Sequence, residues 1–195
     1  NMDWMEQVKA KQKRHNQILF DRNSVLLLPL RHQIAKQSHI VIVAWCLSCL
    51  ETLVQELSAQ LPEEQRARQA LDICRRWARG EEKMPQAKAA ILSVHAIAKE
   101  QQDPIICALA HAIGQGLGSI HVETHAIGMV LYDLSAQVYA LGIEHCREGV
   151  EQRLHWYEER LTYWSGQEGL RTQPWAAFLQ KERPNKEALL LKREE

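Results

Sequence analysis

Residues 107–140 read CALAHAIGQGLGSIHVETHAIGMVLYDLSAQVYA, and they decide the fold class because they hold two helical patterns around a glycine-rich middle. In the first pattern, small residues alternate up to Gly118. A glycine inside a helix costs roughly 1 kcal/mol relative to alanine, so three glycines at alternate positions predict a helix break or an unusually close neighbour near 119–123. We favour the break. Thr124 can then cap a second helix, along which apolar residues recur every three or four positions.

The same helical spacing of apolar residues recurs along most of the chain. Ser38 and Asp103 are typical N-cap residues, and Pro62 and Pro85 suit the first turn of a helix. A last amphipathic stretch ends near Trp164, with charged residues on its opposite face. The sequence contains no stretch with the two-residue alternation of a half-buried strand, so every long element is predicted to be helical.

These patterns predict an all-α protein, a single-domain multi-helix bundle with about six main helices plus short terminal helices. We expect residues 1–37 to form an N-terminal helical arm, 38–164 the bundle core, and 165–195 a C-terminal arm and tail. At this length the three parts are expected to make one domain. The tail contains three consecutive leucines, 189–191, which would need a partner surface to be ordered.

Charge and apolar composition exclude two classes of partner. Lys+Arg and Asp+Glu are equal at 24 each, and basic residues are interleaved with acids, so no nucleic-acid partner is expected. No run approaches the roughly 18 consecutive apolar residues of a membrane span, so no membrane partner is expected either. The charged N-terminal residues leave no apolar signal-peptide core, which predicts a cytoplasmic protein.

The five cysteines are odd in number and lie inside helical patterns, so we expect them to be reduced thiols of the core. Cys46 and Cys49 form a C-x-x-C pair. This pair falls in the middle of a predicted helix without a preceding strand, which favours core packing over a redox function.

Histidines near the glycine stretch are the strongest signal for chemistry. His121 and His125 are four positions apart, which on a continuous helix separates them by about 40° and lets both reach one metal ion. With Glu123 nearby, His95 or His111 from another segment could complete a site of three or four nitrogen and oxygen ligands for a divalent metal. On one unbroken helix, however, His111 would lie about 21 Å from His125, so it could join only if the glycine stretch turns the chain back.

The alternative is that these histidines form hydrogen bonds to helix ends and neighbouring side chains in a tight helix junction, where small residues leave room for the rings. We favour this alternative, because His-x-x-x-His without the glutamate of a zincin motif is common by chance.

A second group of candidate binding residues surrounds Trp77. Trp77 itself is expected to anchor the core, whereas Arg76 and Arg79 near it fit either a solvated helix end or an interface, where arginine and tryptophan are over-represented. The binding candidates are therefore Trp77, Arg76, Arg79, His121 and His125. The small residues of the stretch 108–118 also fit close packing between two copies of the chain, so a homodimer is an open alternative.

Five short blocks occur in order along the middle of the chain: AWCLSC (44–49), RWARGE (76–81), MPQA (84–87), AHAIGQ (110–115) and HVETHA (121–126). Together they resemble a family of bacterial putative immunity proteins from polymorphic-toxin systems, over about residues 39–141. The resemblance implies an all-helical cytoplasmic protein that binds and blocks a cognate toxin, with a protein toxin as its partner.

The leading hypothesis is therefore a non-enzymatic binder that neutralises a bacterial toxin and needs no cofactor. One alternative is a metal-dependent enzyme or metal-binding helical bundle that uses His95, His111, His121 and His125. Another is a structural homo-oligomer.

Overall fold

The structure, a computed structural model, describes residues 2–195 as ten α-helices, two single turns of 3-10 helix and no strand. This confirms the predicted all-α helical bundle. The helices are α1 (Trp4–Lys13), α2 (Leu28–Ala35), α3 (His39–Gln60), α4 (Arg66–Ala78), α5 (Met84–Glu100), α6 (Pro104–Gly118), α7 (His125–Leu141), α8 (Arg147–Ser165), α9 (Ala177–Gln180) and α10 (Lys186–Glu194).

The helix α3 lies at the centre of the bundle, where it contacts α4, α6, α7 and α8. It begins as predicted at Ser38, whose hydroxyl accepts the backbone N–H of Val41 at 3.3 Å. By length and composition α3 could also cross a membrane, although its apolar residues are interrupted by polar ones, and 61% of its most apolar window is buried inside the fold. A buried core helix passes the same test, so the absence of a membrane partner stays a prediction.

The helices α6 and α7 form the most extensive helix pair of the fold. The predicted break between them is confirmed, because α6 ends at Gly118 and α7 begins at His125. Thr124 occupies the N-cap position of α7, but its side chain makes no capping hydrogen bond. Its carbonyl oxygen instead accepts a hydrogen bond from Arg22 at 3.1 Å, so this turn is held by the N-terminal part of the chain.

One predicted helix start was wrong. Residues 62 and 63 form a turn and α4 begins only at Arg66, whose backbone N–H and Nε both donate to the carboxylate of Glu64. The end of α4 is as predicted: Gly80 has φ = 77°, a left-handed conformation that suits glycine.

Both ends of the chain bury side chains in the same hydrophobic cluster as the central helices. Val8 and Phe20 do so from the N-terminal arm, and Leu170 and Leu179 from the C-terminal arm. The tail packs within the chain, because α10 lies on α2; Leu191 is buried there, whereas Leu189 stays 42% exposed.

All five cysteines are free thiols, as expected. Cys46 and Cys49 are fully buried in α3, and burial raises the pKa of both, that of Cys49 to about 12. A thiol with such a pKa remains protonated at neutral pH, so neither sulfur is an effective nucleophile.

Candidate functional site

The half-buried side chains of His95 and His111 meet between α5 and α6. Their Nδ1 atoms are 2.8 Å apart, so one ring donates and the other accepts a hydrogen bond. Burial lowers the pKa of His111, and burial together with the neighbouring His111 lowers that of His95 to about 4. The pair is therefore uncharged at neutral pH. Gly114 makes room for it, because a Cβ there would lie 2.4 Å from Nε2 of His95.

His125 is exposed at the start of α7. Its Nδ1 lies 3.0 Å from Oε1 of Gln115 on α6, and its ring packs against Gly118. Gln115 in turn fills the space that a side chain at Gly128 would occupy, with Oε1 only 2.4 Å from a Cβ built there. Side chains of α6 and α7 thus pass through gaps that glycines leave open.

His121 does not share a helix with His125, because the chain turns between the two residues. It is exposed in the turn and lines a cavity of about 360 Å³ that Trp77 also lines, whereas His125 lines a different cavity of about 830 Å³. The helical spacing that suggested a shared metal ion is therefore absent from the structure.

The four histidines of the metal hypothesis are not brought to one place. His95 and His111 form a pair, His125 is bonded to Gln115, and His121 lies at the surface. Among residues 2–195, no group of three or more His, Cys, Asp or Glu side chains is arranged to hold a metal ion.

Glu123 organises the turn between α6 and α7 from the inside. This buried carboxylate accepts two hydrogen bonds from the guanidinium of Arg183, at 2.9 and 2.6 Å, and the backbone N–H of Lys186 at 2.5 Å. The pKa of Glu123 is lowered despite its burial, because these donors favour the charged form. The C-terminal arm is thereby fastened to the α6–α7 turn.

His39, the first residue of α3, is a neutral side chain that lies next to Glu123 and Arg183. Its Nε2 donates to the carbonyl oxygen of Ser119 at 2.6 Å, and its Nδ1 accepts from Arg183 at 2.9 Å. These partners require a single proton, on Nε2. Burial also lowers the pKa of His39, so its contact with Glu123 at 3.8 Å is not an ion pair at neutral pH.

The candidates around Trp77 lie at the C-terminal end of α4. Trp77 is buried, as expected of a core anchor, and its ring centroid is 5.6 Å from that of Phe178 in the C-terminal arm. Arg76 and Arg79 are partly exposed and pair with nearby acids, Glu82 at 3.6 Å and Glu81 at 3.1 Å. Of the five predicted binding residues, Trp77 and His121 line one cavity.

Sequence reasoning missed the contribution of the C-terminal arm to this cavity. Phe178, Arg183 and Lys186 line it beside Trp77 and His121. A local signal was available for the helix that follows, because Asn185 is a typical N-cap residue and its side chain accepts the N–H groups of residues 187 and 188. No local signal identifies the helices against which the arm packs.

Comparison with known proteins yields one match. The model of a family described as "Imm-5 like putative immunity protein" matches residues 32–160, more than half of the chain. No curated protein and no solved structure matches. The α6–α7 pair lies within the matched residues, and the C-terminal arm lies outside them.

Proposed function

The chain belongs to the Imm-5 like putative immunity protein family, as its sequence blocks predicted, and on this basis we propose that it is a non-enzymatic protein that binds and neutralises a cognate bacterial toxin. The family match is the observation that carries the proposal. We also propose that it acts in the cytoplasm, as the family resemblance implied.

The contacts of the reactive side chains support a role in binding. Cys46 and Cys49 are buried thiols with raised pKa values, and His95 and His111 satisfy each other. Glu123 and Arg183 hold the C-terminal arm in place. In each case the side chain serves the internal structure, so the proposal assigns none of these residues a catalytic role.

Co-expression with the toxin candidate encoded beside this gene tests the proposal. We expect growth arrest by that neighbouring gene product to be relieved by this chain, and the two purified proteins to co-elute as a complex. An unrelated helical protein of similar size, expressed at the same level, is the control and should give no rescue. Separate elution together with a lack of rescue would contradict the proposal.

Two further measurements on the same preparation address the other hypotheses. The elution mass of the isolated chain reports whether it forms a homodimer. Metal analysis of protein purified without an affinity tag tests the enzyme hypothesis: stoichiometric zinc, iron or manganese that is lost in the His121→Ala/His125→Ala variant would favour it.

A further inference from the structure

We propose that the toxin is bound at the surface on either side of Arg183, and that it contributes an acidic segment with an apolar side chain. This inference rests on the proposed function and adds to it the contact surface and the chemistry of the partner. The Arg183 surface is defined by two cavities that share His39 and Arg183 as lining residues. Their volumes are about 510 and 360 Å³.

Positive charge dominates this surface. The two cavities are lined by four cationic side chains, Arg171, Lys181, Arg183 and Lys186, and by two acidic ones, Glu123 and Glu182. Glu123 is buried and neutralised by Arg183.

The ion pairs found among residues 2–195 leave three of these cations, Arg171, Lys181 and Lys186, without a carboxylate partner. All three are exposed, whereas Arg76 and Arg79 nearby have their own acids. Since the whole chain has equal numbers of acidic and basic residues, this local excess favours an acidic partner.

The smaller cavity offers an apolar contact next to the charges. Phe178 packs on the buried ring of Trp77 yet keeps 36% of its surface exposed, and Met84 across the cavity is 47% exposed. Lys186 and Arg183 line the same cavity. An aromatic and a thioether side chain bordered by cations match the usual composition of an interface, with an apolar anchor inside a polar rim.

The C-terminal arm contributes half of the residues that line this surface, although it lies outside the residues that match the family. It is held there by the backbone N–H of Ala176, which donates to the carbonyl oxygen of Ala78 at 2.7 Å, and by the contacts of Glu123. The family core contributes Trp77, Met84 and His121, among others, and the arm adds Phe178 and the four cations. We infer that the arm determines which toxin this member of the family recognises.

Charge removal tests the electrostatic part of the inference. The variant Lys181→Gln/Lys186→Gln should bind the neighbouring gene product about tenfold more weakly or worse, because it loses attraction to the acidic segment. Raising the salt concentration from about 0.05 M to about 0.5 M NaCl should weaken wild-type binding far more than binding of this variant. The matched control is Lys88→Gln/Lys192→Gln, which removes the same charge from exposed positions elsewhere and should bind like wild type.

A second experiment truncates the apolar contact. Phe178→Ala should weaken binding about tenfold, whereas Leu92→Ala, at a side chain that is 58% exposed on α5, should leave it unchanged. Thermal unfolding monitored by circular dichroism must show that each variant is folded. If a variant unfolds, hydrogen exchange of the wild-type chain, measured with and without the neighbouring gene product, tests the surface instead. Protection on binding is expected at residues 171–186.

The outcomes separate the two proposals. If the wild-type chain neither rescues nor binds, the proposed function fails and the surface assignment fails with it. If wild type binds and both variants bind as tightly as their controls, only the surface assignment fails. Binding of a single-stranded oligonucleotide, or formation of a salt-sensitive dimer, that is lost in Lys181→Gln/Lys186→Gln would also overturn it, because another occupant would then use this surface.

Discussion

Glycines of α6 and α7 leave space that polar side chains of neighbouring helices occupy. His95 fits against Gly114, His125 against Gly118, and Gln115 against Gly128. The helix α6 continues through Gly114 and Gly116, and the small residues let neighbouring side chains approach its backbone closely. Both outcomes expected of such a pattern occur, the close approach along the helix and the break after it.

The variant Gly114→Ala should lower the free energy of unfolding by about 1–2 kcal/mol. The added Cβ would lie within 2.8 Å of three ring atoms of His95, and this overlap outweighs the roughly 1 kcal/mol that alanine gains in a helix. Denaturant unfolding measures the loss. Gly169→Ala, where no other atom lies within 4 Å of the added Cβ, is the control and should change stability by less than about 0.5 kcal/mol.

A double variant tests whether the imidazole is the cause. His95→Ala/Gly114→Ala should be less destabilised than the sum of its single variants, because removal of the ring makes room for the new methyl group. Strict additivity would show that Gly114 is required for another reason.

The pair His95 and His111 should make stability depend on pH. The pKa of His95 is about 4 in the folded chain and about 6.5 when unfolded, so the unfolded state takes up more protons between these values. Stability should therefore fall as pH decreases from about 6.5 to about 4, by about 1–2 kcal/mol for this partly buried side chain.

Chemical denaturation at a series of pH values measures this loss. His95→Gln should reduce it, whereas His155→Gln, at an exposed histidine on α8, should retain it. An equal pH dependence in wild type and His95→Gln would show that other groups are responsible.

At the scale of elements, α10 is held by buried charges as well as by apolar contacts. Glu187 is buried and accepts Nε of the buried Arg31 at 2.7 Å, while Arg22 pairs with the same carboxylate. Arg31 also pairs with Glu194 at the other end of α10, at 2.8 Å. One arginine on α2 thus contacts both ends of the terminal helix.

Two glutamates of α10 offer a matched comparison, because both bind Arg31 but differ in exposure. The side chain of Glu187 is 1% exposed and that of Glu194 is 40% exposed. Glu187→Ala should lower the free energy of unfolding by about 3 kcal/mol, since it leaves buried arginine without its closest partner. Glu194→Ala should cost less than about 1 kcal/mol.

Denaturant unfolding reports the two free energies, and hydrogen exchange of residues 186–194 shows whether α10 has detached. Similar effects of the two variants would mean that burial of the ion pair does not govern docking of the helix.

Element boundaries were predictable where their cause is local. Ser38 and Asp103 cap α3 and α6 with their own side chains, and Gly80 ends α4 with a left-handed turn. The start of α4 was misplaced because Arg66, its first residue, is also held by Glu100 of α5, 34 positions away, at 3.0 Å. No local pattern identifies that partner.

For the molecule as a whole, we predict cooperative unfolding of the N-terminal arm, the central helices and the C-terminal arm. Side chains from all three parts belong to one hydrophobic cluster, and Trp4 of the first arm also donates to Glu151 of α8 at 3.0 Å. Hydrogen exchange with increasing denaturant should give similar midpoints for residues 4–35, 39–141 and 170–191. Loss of protection in 170–191 well before the rest would show that the C-terminal arm is a separate unit.

The amino-acid sequence by itself determined the helical class, the position of the α6–α7 turn and the family, because periodicity, glycine placement and short ordered blocks are local properties of the chain. Only the tertiary structure decided which histidines meet. It also decided how Arg31 meets Glu187, 156 residues away, and how Phe178 reaches Trp77. Such contacts depend on how the helices pack. The spacing of residues within one helix does not reveal which side chains of a distant segment will lie against it.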